Sequence, residues 1–275
     1  ILTIQDVSCV GRCSLTVALP IISAAGVETA ILPTAVLSTH TAFPKFTFRD
    51  LTDEIQPITD TFVELGIGFD AIYTGYLGSF RQLELVSDLF DKLWNSSQIR
   101  VIDPVMADNG KLYPGFTPEF AKKMAELCKK ADLIVPNLTE AAFMLGDDYD
   151  PAPDEEKIRT LLKKLTDLGA KRAALTGISL EDSKIGYYLY DSVTKQYSCY
   201  FNKKLPQSYH GTGDIFASTA TAGLARGLDF PDALKLATDF TLAAMEKTAA
   251  DPDRRTYGVN FEQALGMLTE TLNRF

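Results

Sequence analysis

The sequence predicts an α/β fold with a mostly parallel central sheet and helices on both of its faces. Three observations predict it. Apolar runs of strand length alternate with amphipathic runs of helix length along the chain, the signature of repeated strand–helix–strand units. Polar residues follow six successive strands. No linker, repeat or low-complexity tract interrupts the pattern, so residues 1–275 are expected to form one domain.

The elements follow in order. Residues 1–7 are an apolar strand, and 14–25 a helix that Pro20 should kink. Residues 28–37 form the second strand. The segment 51–65 is amphipathic, with Ile55, Ile58, Phe62 and Leu65 spaced onto one helical face. A short strand at 71–74 leads to a helix at 81–93. Val101-Ile102 is a strand stopped by Asp103-Pro104, and 132–135 one stopped by Pro136. Between them lies a helix at 118–130. A helix at 154–168 precedes a strand at 173–176. Residues 185–190 and 196–201 form an antiparallel hairpin over a turn at 191–195. Helices at 214–226, 231–247 and 261–273 complete the chain.

Bulk properties exclude several functions. Apolar residues make up 46% and charged residues 23%, enough for a large core, and the formal net charge is −9. That balance argues against nucleic acid and anionic membrane as partners, although a local pocket can still take an anionic small molecule. Cys9, Cys13, Cys128 and Cys199 are too scattered for a disulfide framework and are expected to be small buried hydrophobes. With only His40 and His210, a zinc cluster is not expected. There is no signal peptide or long uncharged apolar run, which suggests a cytoplasmic protein. Ile1 already lies in a strand and is not Met, so a few residues are expected to precede it. Trp94, at a helix end, is expected to pack.

The most informative stretch is Gly211-Thr212-Gly213-Asp214, which opens a helix of small residues. Glycines let the backbone approach a ligand closely, and a helix N-terminus offers unpaired N–H groups to a phosphate. Asp214 in the first turn would repel that phosphate, so its presence needs a reason. Accepting a proton from an attacking hydroxyl is one; a favourable first-turn acid is the other. The helix terminus should keep Asp214 ionised at neutral pH. In a parallel sheet ligands bind beyond the carboxyl ends of the strands. Asp6 and Ser8, Ser38 to Thr41, Gly75-Tyr76, Asp103 to Asp108, Asn137 to Glu140, and Thr176-Gly177 would all converge there. Asp103 alone reads as a turn residue, and Asn137 with Glu140 as a helix cap. Beside the glycine loop, they read as an outer shell for hydrated Mg²⁺. No Walker-type loop or dinucleotide fingerprint is present. His40 could be a core histidine or face a ligand, and His210 shapes the entry to the glycines.

The Gly-Thr-Gly-Asp loop resembles that of the ribokinase superfamily. Ser-Thr-His-Thr at 38–41, Thr-Gly-Tyr-Leu-Gly-Ser at 74–79, Asp-Pro-Val-Met at 103–106 and Pro-Asn-Leu-Thr-Glu at 136–140 resemble the pyridoxal/pyridoxamine kinases within it. The resemblance spans nearly the whole chain. It implies a ribokinase-like three-layer α/β/α sandwich, ATP and Mg²⁺, a homodimer, and phosphorylation of a vitamin B6 hydroxymethyl group. Carried over, Asp214 would be the base and Gly211, Thr212 and Gly213 the anion hole. Asp103, Asn137 and Glu140 would organise metal and phosphates, with Asp103 and Glu140 nearest the metal. Asp108 and Thr176 would contact the nucleotide. Thr41 and Tyr76 would hold the pyridine ring, with Tyr113 on a lid after Asp108; Asp6 or Ser8 at the end of the first strand, and Ser38 and His40 beside Thr41, are expected to line the same pocket. Three departures stand out. Asp6-Val7-Ser8 replaces the usual Ser-His and is closer to hydroxymethylpyrimidine kinases of thiamin salvage. Ala107 replaces a glycine, and the segment 107–112 lacks the lid cysteine of some relatives. The alternatives are therefore hydroxymethylpyrimidine kinase and a non-catalytic B6- or nucleotide-binding protein on the same fold.

Overall fold

The computed structural model describes residues 1–41 and 43–274. Strand β1 (Leu2–Ser8), helix α1 (Leu15–Ala24) and strand β2 (Ala30–Leu37) open the chain. A short strand β3 (Phe48–Asp50) precedes α2 (Thr52–Glu64), β4 (Ala71–Thr74), α3 (Phe80–Lys92) and β5 (Ile99–Ile102). A two-residue hairpin, β6 (Ala107–Asp108) and β7 (Lys111–Leu112), stands apart from the main sheet. Then come α4 (Pro118–Cys128), β8 (Leu133–Ile134), α5 (Leu138–Leu145), α6 (Glu155–Asp167) and β9 (Arg172–Ile178). The hairpin β10 (Lys184–Asp191) and β11 (Gln196–Lys203) leads to α7 (Thr212–Ala225) and α8 (Phe230–Ala250). A 3₁₀ turn, Phe261–Ala264, runs into α9 (Leu265–Leu272).

Among the described residues, nine strands form one sheet in the order β11-β10-β9-β8-β5-β4-β1-β2-β3. The run from β9 to β2 is parallel, and antiparallel strands close both edges. The parallel strands read as near-continuous apolar runs because both faces are covered. In β4, Ile72 joins one apolar layer while Ala71 and Tyr73 join the other. The first layer is filled from α2 to α6, by Ile55, Phe90, Phe120, Met144 and Leu162 among others. The second is filled from α1, α7, α8 and α9, including Ile21, Phe216, Phe240 and Leu268. Each such side chain contributes about 1.5–3 kcal/mol when fully buried.

Helix starts follow from their capping residues. Ser79 accepts from the Gln82 N–H at 3.2 Å, Asp154 from Lys157 at 2.8 Å, and Asp229 from Asp232 at 2.9 Å. Each removes one otherwise unsatisfied donor of the first turn.

Three expectations are corrected, and one strand was not expected. Leu65 does not lie on the apolar face of α2. It follows the last helical residue and is 69% exposed. Trp94 is 61% exposed beyond the end of α3 and does not pack. Cys9 and Cys199 are exposed, and only Cys13 and Cys128 are buried. The edge strand β3, fully exposed in burial pattern, carries no apolar alternation that would reveal it.

Candidate active site

The parallel run brings the carboxyl ends of β2, β1, β4, β5, β8 and β9 to one rim. There a cleft of about 510 Å³ opens between the ends of β5, β8 and β9, the start of α7 and one face of α8. Asp103, Asp108, Tyr113, Asn137, Glu140, Thr176 and Gly211 to Asp214 all line it.

Gly211 holds φ 82°, a left-handed conformation, and ends the loop before α7. A Cβ there would lie 2.2 Å from the Arg12 carbonyl oxygen, so glycine is required for both backbone and space. The Ile215 N–H donates to the Gly211 carbonyl at 3.0 Å, closing the first turn. No side chain caps the helix. The N–H groups of Thr212, Gly213 and Asp214 are therefore left for an anion. The Thr212 hydroxyl is tied back to the Tyr209 carbonyl at 3.3 Å.

Asp214 stands in that first turn. Burial pushes its carboxyl up to about 7; the Ser14 backbone N–H pulls it back and Asp6 pushes it further up. This corrects the expectation that the helix terminus keeps it ionised. Each pH unit is about 1.4 kcal/mol, against about 0.3–1 kcal/mol for a helix terminus. Burial decides, and the carboxyl titrates near neutrality, where a general base is most effective.

Asp103 ends β5 at 6% exposure. Its Oδ2 faces the glycine loop, 3.9 Å from where a Gly213 Cβ would stand. Burial holds its carboxyl well above the usual range, and Glu140 and Asp214 add to the effect. Asn137 and Glu140 form a reciprocal capping box on α5. Asn137 Oδ1 accepts the Glu140 N–H at 2.9 Å, and Glu140 Oε2 accepts the Asn137 N–H at 2.9 Å. Glu140 Oε1 accepts the Met106 N–H at 3.2 Å, and Asn137 Nδ2 donates to the Ala107 carbonyl at 2.9 Å. Burial still pushes Glu140 up to about 7 against these backbone donors. The cap and the site are thus one construction: the pair fastens the strand-end segment at 106–107 to α5.

Among the described residues no group of three or more His, Cys, Asp and Glu side chains is arranged to hold a metal ion. Both Glu140 oxygens are already engaged, which fits a cation held through its own waters. Asp103, whose proton affinity burial raises first and Glu140 and Asp214 raise further, would give up that proton to a cation bound beside it.

The remaining residues divide in two. Asp108 accepts from Asn109, and the Gly110 N–H donates to Thr139 Oγ1 at 3.0 Å, which ties the small hairpin to α5. Tyr113 lies beyond that hairpin, 37% exposed, with its hydroxyl proton held by burial and by Glu140 and Asp108. Thr176 takes both its N–H and hydroxyl to the Pro136 carbonyl, at 3.0 and 3.4 Å.

Asp6, Ser8, Ser38, His40, Thr41 and Tyr76 are not part of the cleft lining. Asp6 links the two regions, because its charge is felt by both Asp214 and Tyr76. Its carboxylate accepts from Ser14 Oγ at 2.6 Å and Ser8 Oγ at 3.4 Å. Tyr76 is half-buried, its ring 5.6 Å from Phe116. Ser38 Oγ accepts the Thr47 N–H at 2.8 Å, and Thr41 is exposed. His40 packs 5.4 Å from the His210 ring, and burial with His210 lowers its proton affinity.

Sequence reasoning missed the far wall of the cleft. Thr238, Thr241, Leu242 and Met245 line it from α8, and Lys203, Lys204 and Leu205 from the end of β11. The spacing of the α8 residues marks one helical face, but it cannot say what that face meets. Arg12, whose carbonyl presses on Gly211, was also missed.

The model of the family described as phosphomethylpyrimidine kinase matches residues 19–259. The chain is 32% identical over 216 residues to a pyridoxine kinase of Bacillus subtilis, covering 76% of this chain and 73% of that protein. A structure from Bacteroides thetaiotaomicron, provisionally named phosphomethylpyrimidine kinase and crystallised with pyridoxal, is 40% identical with a TM-score of 0.92. It covers 97% of this chain and 94% of its own. Pyridoxal kinase of Lactobacillus plantarum is 29% identical with a TM-score of 0.91, covering 99% and 97%. The glycine loop, the rim of strand ends and these likenesses agree: the chain belongs to the phosphomethylpyrimidine kinase family and is a kinase of the pyridoxal kinase family in the ribokinase superfamily.

Proposed function

We propose that this chain transfers the γ-phosphoryl group of ATP to the hydroxymethyl group of vitamin B6 vitamers, as a homodimer in the cytoplasm. One observation carries the proposal. Asp214, a half-buried carboxyl that desolvation pushes up to about 7, lines the cleft on the uncapped helix start and also feels the charge of Asp6. The names of the relatives and the bound pyridoxal of the Bacteroides structure support the vitamer as acceptor.

Asp214 takes the hydroxyl proton as the oxygen bonds to the γ-phosphorus, and the bond to the ADP oxygen breaks with its electron pair. The N–H groups of Thr212, Gly213 and Asp214 offset charge developing on the phosphoryl oxygens. The α8 wall and the 203–205 segment receive the nucleoside end. Asp103 and Glu140 are the residues that would hold Mg²⁺, and the ion would supply charge neutralisation for the phosphates. Asp6, Ser8, Ser38, His40, Thr41 and Tyr76 orient the ring, while Asp108 and Tyr113 cover the reacting end.

A second reading, hydroxymethylpyrimidine kinase, is favoured by Asp6, which is held by two serines, and by the family description. A coupled assay of ADP release with ATP, Mg²⁺ and each substrate separates them. The expected result is turnover of at least one B6 vitamer with a higher kcat/KM than hydroxymethylpyrimidine. The reverse order would install the second reading. No turnover of either, with retained nucleotide binding, would leave a binding protein.

A further inference from the structure

We propose that Arg12 is a positioning residue for the phosphate-binding loop, held in place by Asn260 and its neighbours beyond α8. The inference rests on the kinase reading above. Arg12 lies in the loop between β1 and α1, and two separate segments approach it closely. Its carbonyl oxygen occupies the space a Gly211 Cβ would need, at 2.2 Å. On its other side a Cβ at Gly258, with φ 150°, would stand 2.4 Å from Arg12 Cβ. Two glycines distant in sequence are thus needed to admit this one residue. Two positions further on, the Ser14 backbone N–H is one of the groups that set the proton affinity of Asp214.

The guanidinium anchors the loop. Its Nε donates to Glu262 Oε1 at 3.0 Å and its Nη1 donates to Asn260 Oδ1. The Arg12 backbone N–H adds a bond to the Tyr257 carbonyl at 3.4 Å. The Glu262 pair is partly exposed and contributes little on its own. Asn260 is the firm partner, at 3% exposure. Its Nδ2 donates to Asp251 Oδ2 at 2.7 Å and its N–H to Thr248 Oγ1 at 2.8 Å. Thr248 Oγ1 in turn donates to the Ala244 carbonyl within α8 at 2.8 Å. Hydrogen bonds therefore run from the helix that walls the cleft through Asn260 to the Arg12 side chain, and the Arg12 carbonyl fills the space beside Gly211. A planar fork can meet two acceptors at once, whereas an ammonium on a flexible stem cannot hold the same geometry. The fork thereby fixes where the Arg12 carbonyl stands beside Gly211, and so where the loop N–H groups point.

The test is steady-state kinetics of Arg12→Met, which keeps the apolar stem, and of Arg12→Lys, with pyridoxal and ATP varied separately. Thermal melts run alongside. In Arg12→Met kcat should fall on the order of 10²-fold, the cost of roughly 1 Å of misplacement, while KM for ATP changes less than about threefold. Arg12→Lys should recover only part of kcat. Asn260→Ser, which leaves Arg12 paired with Glu262, should shift kcat in the same direction and combine with Arg12→Met less than additively. A lowered melting temperature with kcat within about twofold of wild type would overturn the proposal, as would unfolding of both single variants. Activity in the wild type beside an equally active Arg12→Met would sink only this inference. A wild type inactive on every vitamer would sink the functional reading instead.

Discussion

The two sides of the rim are built differently. On the glycine-loop side, Asp103, Glu140 and Asp214 are carboxyls with raised proton affinity, held at strand ends and helix starts. Glu140 alone accepts from two backbone N–H groups. On the side proposed for the ring, Asp6 and Ser8 are buried too, but Ser38 is tied to a neighbouring loop, Thr41 is exposed, and the strand β3 that follows is exposed throughout. Rigid burial tunes proton affinity and points backbone dipoles, which phosphoryl transfer needs whatever the acceptor. Exposed loops can change their contacts without disturbing the core, so in the proposed function the choice of acceptor would rest on the 38–41 segment more than on the buried Asp6 and Ser8. If the proposed roles hold, the difference would separate chemistry from selection along one rim of strand ends.

The strongest way to break this division is to remove the base. Asp214→Asn keeps the side-chain shape and the helix start. Its kcat should fall about 10²–10⁴-fold, while MgADP affinity by calorimetry is retained or tightens as repulsion is relieved. A variant with near wild-type kcat would return Asp214 to a first-turn acid of no chemical role.

A smaller effect is expected at the cap. Glu140→Ala leaves the Met106 and Asn137 N–H groups without their acceptor, at about 1–3 kcal/mol for each unsatisfied buried donor. Losing a group that orients a metal through water should raise the Mg²⁺ requirement and KM for ATP by roughly 10–100-fold. A Mg²⁺ titration superimposable on that of the wild type would place Glu140 in the fold alone.

The smallest effect is expected on the ring side. Tyr76→Phe keeps the packing near Phe116 and removes one hydroxyl. KM for the vitamer should rise about two- to tenfold, the worth of one hydrogen bond, with KM for ATP unmoved. If the ATP parameters change and the vitamer parameters do not, the two sides are wrongly divided.

How much of this was legible in the sequence depends on whether the signal is local. Strand–helix alternation, prolines after β5 and β8, and the glycine loop are local patterns, and each located its element. Leu65 matched a helical face by spacing alone, yet the helix had already ended. The hairpin β6–β7 has two residues per strand and is secured by Asn137 and by Thr139 Oγ1, some 30 positions away. Periodicity cannot reveal an element that short. Asp214 was found by its motif, but its proton affinity was misjudged, because burial is a property of the packed chain. The α8 wall and Arg12 were missed for the same reason: their partners are distant in sequence and are brought near only by folding.

The most direct test of the raised-base account is the pH dependence of kcat/KM for the vitamer at subsaturating MgATP, where the profile reports the unliganded protein, from pH 5 to 9. The base works only when ionised, so a carboxyl raised to about 7 is lost as pH falls through 7. Glu140 also titrates near 7, while Asp6 and Asp103, facing Asp214 from β1 and β5, both hold protons above the ordinary range. The profile is therefore measured in Glu140→Gln as well. The account predicts a limb near pH 7 in both proteins, with activity falling about tenfold per unit below it. A profile flat down to pH 5, or a limb that disappears in Glu140→Gln, would contradict it.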